Sequence, residues 1–314
     1  ELEELHGSIQ EYKKILLDDA LVMQIVKDEL TALRDKYGDE RRTAIEAVSG
    51  EVDIEDLIPE EQCVYTLTHA GYIKRTAADT YTAQNRGGRG IVGLSHKDED
   101  FTEELFIGST HDYMLFMTNK GRIYRLKGYQ VAEGSRTSKG TNIVNLLQLQ
   151  SDEKVTTMMR QPDDLDAEHC YITMVTRMGI IKRTTVSQFR NIRKMGLNAI
   201  ALNENDSLAW CHMTSGDDEL IVATHDGMAI HFTESGARSM GRSGHGVRAI
   251  RLAENDYVVG VCVCRPGATM LTVSEDGKGR RSRIDDYRMT HRGGKGIRNY
   301  AKGCVAGVKI VDDT

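Results

Sequence analysis

The stretch "YTLTHAGYIKRT", residues 65–76, decides the fold because it has the pattern of a β-hairpin. β-Branched and aromatic residues lie on both sides of Gly71, and glycine is favoured where a tight turn needs a positive φ. Four later stretches share this pattern: "LFMTNKGRIYRL" (115–126), "TMVTRMGIIKRT" (173–184), "LIVATHDGMAIHF" (220–232) and "MLTVSEDGKGRRSR" (270–283). Their turn glycines follow Gly71 at steps of 50, 58, 48 and 50 residues and are Gly121, Gly179, Gly227 and Gly277.

A second landmark stays in phase with the hairpins. Each hairpin is followed by a basic loop that ends in glycine: "QNRGGRG" at Gly90, "SRTSKG" at Gly140, "RNIRKMG" at Gly196, "GRSGHG" at Gly246 and "HRGGKG" at Gly296. The turn glycine and the loop glycine are 19, 19, 17, 19 and 19 residues apart. A period near 50 residues with about four strands per unit predicts an all-β fold and favours radially arranged blades over a solenoid. Five blades are visible, and "GCVAGVKIVDDT" (303–314) has the pattern of the start of a sixth.

The N-terminal residues have a different pattern. Apolar residues recur at helical spacing, and Gly38 follows them where a C-terminal glycine usually lies. We therefore predict a short α-helical segment over 1–46, a linker over 47–60 and the β domain over 61–314. Net charge changes at the same boundary: residues 1–60 carry −10 and the whole chain −6, which leaves +4 for the β domain.

Positive charge within the β domain is concentrated in one part of each repeat. The five segments from turn glycine to loop glycine contain 23 Lys/Arg and 5 Asp/Glu, so the remainder of the β domain carries −14. Basic segments in phase predict a basic rim that suits the phosphate backbone of a long polyanion. The predicted DNA-binding residues are Gln84, Arg86, Gly87, Gly88, Arg89, Gly90, Lys74, Arg75, Arg122, Arg125, Arg136, Lys139, Lys182, Arg183, Arg193, Lys194, Arg242, Arg280, Arg281, Arg292 and Lys295.

Several other classes of protein are disfavoured. The chain has no apolar run of about 18 residues and no signal-peptide pattern, so we expect a cytoplasmic protein without a membrane partner. The six cysteines lack the paired spacing of a structural zinc site and are interpreted as reduced thiols, and His225 and His291 as surface residues. We predict neither a metal site nor a catalytic residue, since no known catalytic motif is present.

The loop "QNRGGRG" does not fit a nucleotide-binding loop. Such a loop needs a helix after it, whose N-terminus binds phosphate, whereas this one is followed by the β-type run "IVGLSH". Its glycines allow a tight turn and close backbone approach, while Arg86 and Arg89 can bind phosphates or neighbouring carboxylates.

The same loop carries a resemblance to a known family. "QNRGGRG" resembles the Q-R/K-R-G-G-R/K-G box that marks the C-terminal domain of the A subunit of bacterial DNA gyrase. The hairpins "THAGYIKRT" and "TRMGIIKRT" resemble the repeats of that domain, and "IVKDELTALRDKYGDERRT" (25–43) is similar to the helical end of the preceding breakage-reunion region. The resemblance covers essentially the whole chain. Asn85 departs from it, because the family usually has a basic residue there.

The resemblance implies a six-bladed β-pinwheel whose blades exchange strands and wrap DNA around a basic outer edge. The wrap presents a DNA segment for strand passage in ATP-dependent negative supercoiling. The implied partners are duplex DNA, the B subunit of gyrase, and a second A subunit, which together form a heterotetramer. ATP and Mg²⁺ belong to other domains of the holoenzyme, so no cofactor is expected in this chain. The resemblance places the catalytic tyrosine upstream, so we expect this chain to be a DNA-binding module of a type II topoisomerase.

Alternative functions remain open from the sequence. The tail domain of the A subunit of topoisomerase IV is related, although its box is often degraded. A protein-interaction propeller would expose apolar patches, and an enzyme with a site in its central channel would need a polar constellation. The box itself has two candidate roles, because it could contact DNA or fasten the first blade to the last.

Overall fold

The computed structural model describes residues 1–39, 54–81, 100–162 and 164–312. The chain divides into two units, Glu1–Asp53 and Ile54–Thr314, each of which is described here by itself.

The first unit contains two helices, α1 (Leu2–Leu17) and α2 (Asp19–Tyr37). Asp18 separates them and caps α2, because its Oδ1 accepts a hydrogen bond from the Ala20 N–H at 3.0 Å. Gly38 follows α2 at the predicted position, where a Cβ would collide with the Arg34 carbonyl oxygen. In the described ranges, no helix combines the length and the apolar composition needed to cross a bilayer.

The second unit is built from short antiparallel strands. Those of its described part are β1 (Gln62–Thr68), β2 (Tyr72–Ala77), β3 (Thr102–Ser109), β4 (Tyr113–Thr118), β5 (Arg122–Lys127), β6 (Thr141–Asn142), β7 (Val155–Gln161), β8 (Tyr171–Thr176), β9 (Ile180–Thr185), β10 (Leu197–Asn198), β11 (Leu208–Thr214), β12 (Glu219–Thr224), β13 (Met228–Thr233), β14 (Val247–Arg248), β15 (Val258–Val263), β16 (Thr269–Ser274), β17 (Gly279–Arg283), β18 (Ile297–Arg298) and β19 (Val305–Val311).

The strands form five sheets in the described residues, and each sheet takes strands from two successive repeats. The strand orders are β3-β1-β2-β6, β10-β5-β4-β7, β11-β8-β9-β14, β15-β12-β13-β18 and β17-β16-β19. Each predicted hairpin lies within one sheet, and the next repeat supplies the strands that flank it. This exchange joins neighbouring blades through backbone hydrogen bonds, and the five sheets are the five visible blades of the predicted propeller.

The hairpin turns explain why the repeat has a fixed sequence pattern. All five turn glycines have positive φ, from 71° at Gly121 to 81° at Gly71 and Gly227. The N–H of each donates to the carbonyl oxygen of a Thr or Ser three residues earlier, as Gly71 does to Thr68 at 2.9 Å. The Thr68 hydroxyl then accepts a hydrogen bond from the Tyr72 N–H at 3.2 Å, which closes the turn.

The core consists of layers between neighbouring sheets. In β4, Met114 and Phe116 pack in the cluster shared with the first sheet, whereas Leu115 and Met117 pack in the cluster shared with the third. Both faces of the strand are therefore buried, which explains its continuous apolar run. This burial is the reason that one blade cannot fold alone and that several blades share a core.

The strand β19 belongs to the fifth sheet. Residues 303–314 have the pattern of a sixth repeat, yet β19 pairs with β16, with Leu271 opposite Lys309. In each earlier sheet, the equivalent position is taken by the strand that precedes the next hairpin. For example, β3 precedes the second hairpin and pairs with β1 in the first sheet. The start of the sixth repeat is thus the last strand of the fifth blade.

Residues 54–60, assigned to the linker by sequence, contact the second repeat. A 3₁₀ turn covers Ile54–Leu57, and Glu55 forms an ion pair with Lys127 at 2.7 Å. The Thr110 hydroxyl donates to the Pro59 carbonyl oxygen at 2.9 Å. These contacts fix the entry of the chain into β1.

Candidate nucleic-acid interface

The five sheets have an inner and an outer edge. A cavity of about 990 Å³ is lined by β3, β7, β11, β15 and β19, which stand at one edge of each sheet. The two-residue strands β6, β10, β14 and β18 stand at the opposite edge of the first four sheets. Each of these strands directly follows a basic loop, so the basic loops lie at the outer edge.

The loop glycines fix the loops to that edge. Gly140, Gly196, Gly246 and Gly296 all have positive φ, between 72° and 90°. A Cβ at residue 246 would lie 2.6 Å from the carbonyl oxygen of Ile181, which is in β9, the second strand of the third hairpin. Equivalent Cβ atoms would collide with Ile73, Tyr124 and Ala229. Glycine is required because backbone packs against backbone or an aromatic ring at these four positions.

Two predicted DNA-binding lysines are buried and hold these loops from inside. Lys74 is 1% exposed, and its Nζ donates to the carbonyl oxygens of Ser135, Arg136 and Ser138. Lys182 is fully buried, and its Nζ donates to the carbonyl oxygens of Ala199 and Arg242, each at 2.6 Å. Burial lowers the pKa of both ammonium groups, that of Lys182 to about 8. Both side chains point into the protein and do not reach the rim.

The predicted residues Arg75 and Arg183 pair with carboxylates of the protein. Arg183 is buried and lies 3.8 Å from the carboxylate of Glu234, which is 0% exposed. Arg75 is half-buried and lies 3.3 Å from the carboxylate of Glu133. The "KR" pair of these hairpins is therefore part of the packing between blades.

Other predicted residues are half-buried and attach one repeat to the next. Arg122 donates to Asn198 Oδ1 at 3.1 Å and to the Met195 carbonyl oxygen. Arg292 donates to the carbonyl oxygens of Gly236 at 2.7 Å and Arg248 at 3.0 Å.

Three more basic side chains are half-buried. Arg125 and Lys139 lie over the rings of Tyr113 and Tyr72, at 4.3 Å and 3.6 Å from the centroids. Arg136, in the same loop as Lys139, is also half-buried. These side chains are held at the protein surface with part of their area open to solvent.

Six predicted residues are exposed, and most of them belong to the outer loops. They are Arg193, Lys194, Arg242, Arg280, Arg281 and Lys295. Arg280 occupies the hairpin position of Lys182, since each pairs with the fourth residue of the facing strand, Thr272 and Met174 respectively. It is exposed because the fifth sheet has three strands in the described part, and no further loop lies over β17 there.

Sequence reasoning missed two exposed arginines at the same edge. Arg248 and Arg298 are the second residues of the outer strands β14 and β18. Each follows the loop glycine by two positions, so extending the repeat comparison past that glycine would have found them. The predicted box residues Gln84, Arg86, Gly87, Gly88, Arg89 and Gly90 lie outside the described residues.

The central cavity has a different chemistry. Burial raises the pKa of Glu104, while the positive charge of Lys309 lowers it in part. Burial lowers the pKa of His212, whose Nε2 lies 3.1 Å from the Val261 carbonyl oxygen. Burial also raises the pKa of the Cys262 thiol to about 11, so that this thiol is protonated at neutral pH and is a poor nucleophile. Basic loops are a feature of the outer edge and not of the cavity.

The repeat pattern and the fold have a match among known families. A model described as "DNA gyrase C-terminal domain, beta-propeller" matches residues 64–107, 112–162, 171–215, 218–265 and 268–302, one match for each blade. The chain belongs to the DNA gyrase C-terminal domain family. Four of these matches contain one of the described outer loops, so the family pattern includes the candidate interface.

Individual relatives agree with this family. The DNA gyrase A subunit of Clostridium acetobutylicum is 49% identical over 317 residues, which is 100% of this chain and 38% of that protein. A solved structure of a DNA gyrase A C-terminal domain superposes with a TM-score of 0.62 at 28% identity, over 78% of this chain and 81% of the other. The C-terminal domain of DNA topoisomerase IV superposes with a TM-score of 0.68 at 24% identity, over 82% and 79%, which is a likeness of fold.

Proposed function

We propose that the second unit binds duplex DNA along its outer edge and wraps it, largely without sequence specificity. In the cytoplasm, the wrap would present a segment of the same DNA for strand passage by the parent gyrase. Negative supercoiling would then use ATP, with Mg²⁺, on the B subunits, in a complex of two A and two B subunits. This chain would contribute DNA binding and no catalytic residue.

The arrangement of exposed basic residues carries the proposal. Arg193 and Lys194 lie in the loop at the outer edge of the second sheet, Arg242 at that of the third and Lys295 at that of the fourth. Exposed Arg248 and Arg298 extend the third and fourth groups. Positive charge thus recurs on successive blades, and this is the distribution that a curved polyanion would contact.

The physics of DNA bending explains why repeated contacts are needed. Bending a site of 20–30 base pairs by tens of degrees costs about 1–6 kcal/mol. A single basic loop would bind straight DNA as well as bent DNA. Loops on successive blades would add a phosphate contact each time the DNA bends towards the next blade, and these contacts offset the bending energy. Helices of the described second unit are single 3₁₀ turns such as Ile54–Leu57, too short to read a major groove. Contacts to phosphate would therefore dominate binding.

The test is ligation of nicked circular DNA in the presence of this chain, followed by gel analysis of the linking number. The rim variant is Arg193→Ala/Lys194→Ala/Arg242→Ala/Lys295→Ala. The matched control removes four exposed positive charges elsewhere, Lys13→Ala/Lys14→Ala/Lys27→Ala/Arg265→Ala. We expect a positive shift in linking number with the parent chain and the control, and none with the rim variant.

Binding to a linear duplex gives a second readout. Each phosphate contact contributes about 0.9 to the slope of log affinity against log salt, so four lost contacts reduce the slope by about 3–4. A rim variant with the same slope and the same linking number as the parent would contradict the proposal. Binding without any linking-number shift would support a basic rim that holds DNA without wrapping it.

A further inference from the structure

Three side chains that can bind a metal converge where the fourth and fifth blades meet. They are His225 in the β12–β13 turn, Glu275 in the β16–β17 turn and Cys304 just before β19. Their ligand atoms lie within 4.8 Å of one another, and His225 Nε2 is 3.2 Å from Glu275 Oε1. The residues are 50 and 29 positions apart in the chain, so the fold alone brings them together.

Backbone hydrogen bonds hold the three residues in place. The Glu275 N–H donates to the Cys304 carbonyl oxygen at 3.0 Å, and the Val305 N–H donates to the His225 carbonyl oxygen at 2.8 Å. The positions of the three Cα atoms therefore do not depend on the side chains. Cys304 is half-buried and Glu275 is exposed, so an ion can reach the cluster from solvent.

The imidazole of His225 is oriented for binding through Nε2. Its Nδ1 lies 3.3 Å from Asp226 Oδ1, and its ring stacks on Tyr257 with the centroids 4.6 Å apart. A carboxylate on one imidazole nitrogen fixes the tautomer that leaves the lone pair on the other nitrogen. This pairing accompanies most metal-binding histidines.

We propose that His225 Nε2, the Glu275 carboxylate and the Cys304 thiolate bind a divalent transition-metal ion, Zn²⁺ being preferred. One nitrogen, one sulfur and one oxygen ligand suit Zn²⁺, and a water molecule completes the tetrahedron. Zinc–ligand bonds of about 2.0–2.3 Å place tetrahedral ligand atoms about 3.3–3.6 Å apart, close to the distance between His225 and Glu275. On binding, Cys304 gives up its thiol proton to solvent, and the two negative ligands balance the charge of the ion.

Equivalent positions at the other blade junctions show that the fold does not impose this set of ligands. At each junction, the N–H of the residue in the later blade's turn donates to the carbonyl oxygen of the residue that corresponds to Cys304. This hydrogen bond identifies the equivalent positions. These triples are His69, Asn119 and Lys154; Asn119, Arg177 and Ser207; and Arg177, His225 and Tyr257. Each of them has at most one good zinc ligand, whereas the last junction has three.

The bound ion would join the turns of the fourth and fifth blades to the start of β19. The fifth sheet has three strands in the described part, so an added link between its hairpin and its last strand acts where the sheet has fewest neighbours. An ion that binds the folded chain and not the unfolded chain stabilises the fold by mass action.

The experiment titrates the reduced 314-residue chain with Co²⁺ and then with Zn²⁺. We expect a thiolate-to-cobalt charge-transfer band in the near ultraviolet, its loss on addition of one equivalent of Zn²⁺, and a higher Tm with Zn²⁺. Cys304→Ser abolishes the band, and Asp226→Asn weakens binding about 10–100-fold. Cys170→Ser, which changes another half-buried free cysteine, keeps the band.

Circular dichroism of each variant without metal checks that the substitutions leave the fold intact, which their partial exposure favours. Absence of the band in the parent chain, or its persistence in Cys304→Ser, would overturn the proposal. Binding of Co²⁺ without the band would also overturn it, because the ion would then lie at His225, Asp226 and Asp256, which form a second cluster of ligand atoms. No DNA is present in the experiment, so its outcome is independent of the proposed wrapping.

Discussion

Lys182 and Arg242 are 60 positions apart, yet Lys182 Nζ donates a hydrogen bond to the Arg242 carbonyl oxygen at 2.6 Å. The ammonium group is buried beneath the loop, while the guanidinium of Arg242 is exposed on the outer side. Two basic residues with the same sequence-based prediction therefore differ in their access to solvent. Lys182 holds the loop, and Arg242 is available to a phosphate.

Replacing the buried lysine should affect stability and not DNA contacts. Lys182→Met leaves the Ala199 and Arg242 carbonyl oxygens without their donor, which lowers the free energy of unfolding by about 1–3 kcal/mol. The salt dependence of duplex binding stays the same. Urea unfolding and salt-dependent binding measure the two quantities.

The exposed residue Lys194 provides the contrast. Lys194→Met should change the free energy of unfolding by less than about 0.5 kcal/mol and reduce the salt slope by about 0.9. If Lys182→Met kept the stability of the parent and reduced the salt slope of duplex binding, we would conclude that Lys182 contacts DNA.

Stability should depend on pH through the same lysine. Burial lowers its pKa from 10.5 to about 8, so between these values the unfolded chain holds a proton that the folded chain has released. Stability therefore rises with pH in this window, by up to about 1.4 kcal/mol per pH unit, and the gain is lost as pH falls through 8. The measurement is urea unfolding of the parent chain and of Lys182→Met at about pH 7.5 and about pH 9.5, on either side of the folded-state pKa.

The comparison with Lys182→Met removes the contribution of other groups that titrate in this range. The stability of the parent should increase relative to the variant between the two pH values. An equal pH dependence in the two proteins would contradict the assigned pKa.

The buried carboxylate of Glu234 should be essential for stability. It accepts hydrogen bonds from Thr173 at 3.0 Å, Thr214 at 2.7 Å and the Gly216 N–H at 2.6 Å, and it faces buried Arg183. Glu234→Ala leaves these donors and a positive charge without a partner, so we expect a loss of about 3–5 kcal/mol in urea unfolding.

An exposed ion pair is the control for this change. Glu168 pairs with Arg190 at 2.9 Å, and both side chains are more than half exposed. Glu168→Ala should cost less than about 1 kcal/mol. Similar costs for the two substitutions would show that burial of Glu234 has no energetic consequence.

Two glycines with similar backbone angles should respond differently to substitution. Gly277 has φ 79° with open space at the Cβ position, so Gly277→Ala meets backbone strain alone, about 1–2 kcal/mol. Gly246 has φ 90°, and its Cβ would lie 2.6 Å from the Ile181 carbonyl oxygen, which adds about 1–3 kcal/mol of overpacking. Thermal unfolding of the two variants should rank Gly246→Ala as the less stable. The reverse ranking would argue against close packing of the loop on the blade before it.

The sequence predicted the repeat well because its signals are local. A Thr or Ser that ends a β-type run, three residues before a positive-φ glycine, marks each hairpin turn, and five such turns define five blades. Basic loops in phase with the turns placed charge at a common part of each blade. The sequence of β19 matches the start of a sixth repeat. Its pairing with β16 in the fifth sheet could not be predicted, because strand exchange between repeats has no signal in the sequence of a single repeat.

Only the tertiary structure decided which basic side chains reach solvent. Lys74 and Lys182 are buried because a loop from the next repeat, about 60 residues later, covers them, and Arg280 is exposed in the described structure without such a loop. The convergence of His225, Glu275 and Cys304 has the same origin. Turn chemistry and charge density are properties of neighbouring residues, which a sequence displays directly. Burial and ligand geometry depend on which distant segments meet, and that is set by packing of the blades.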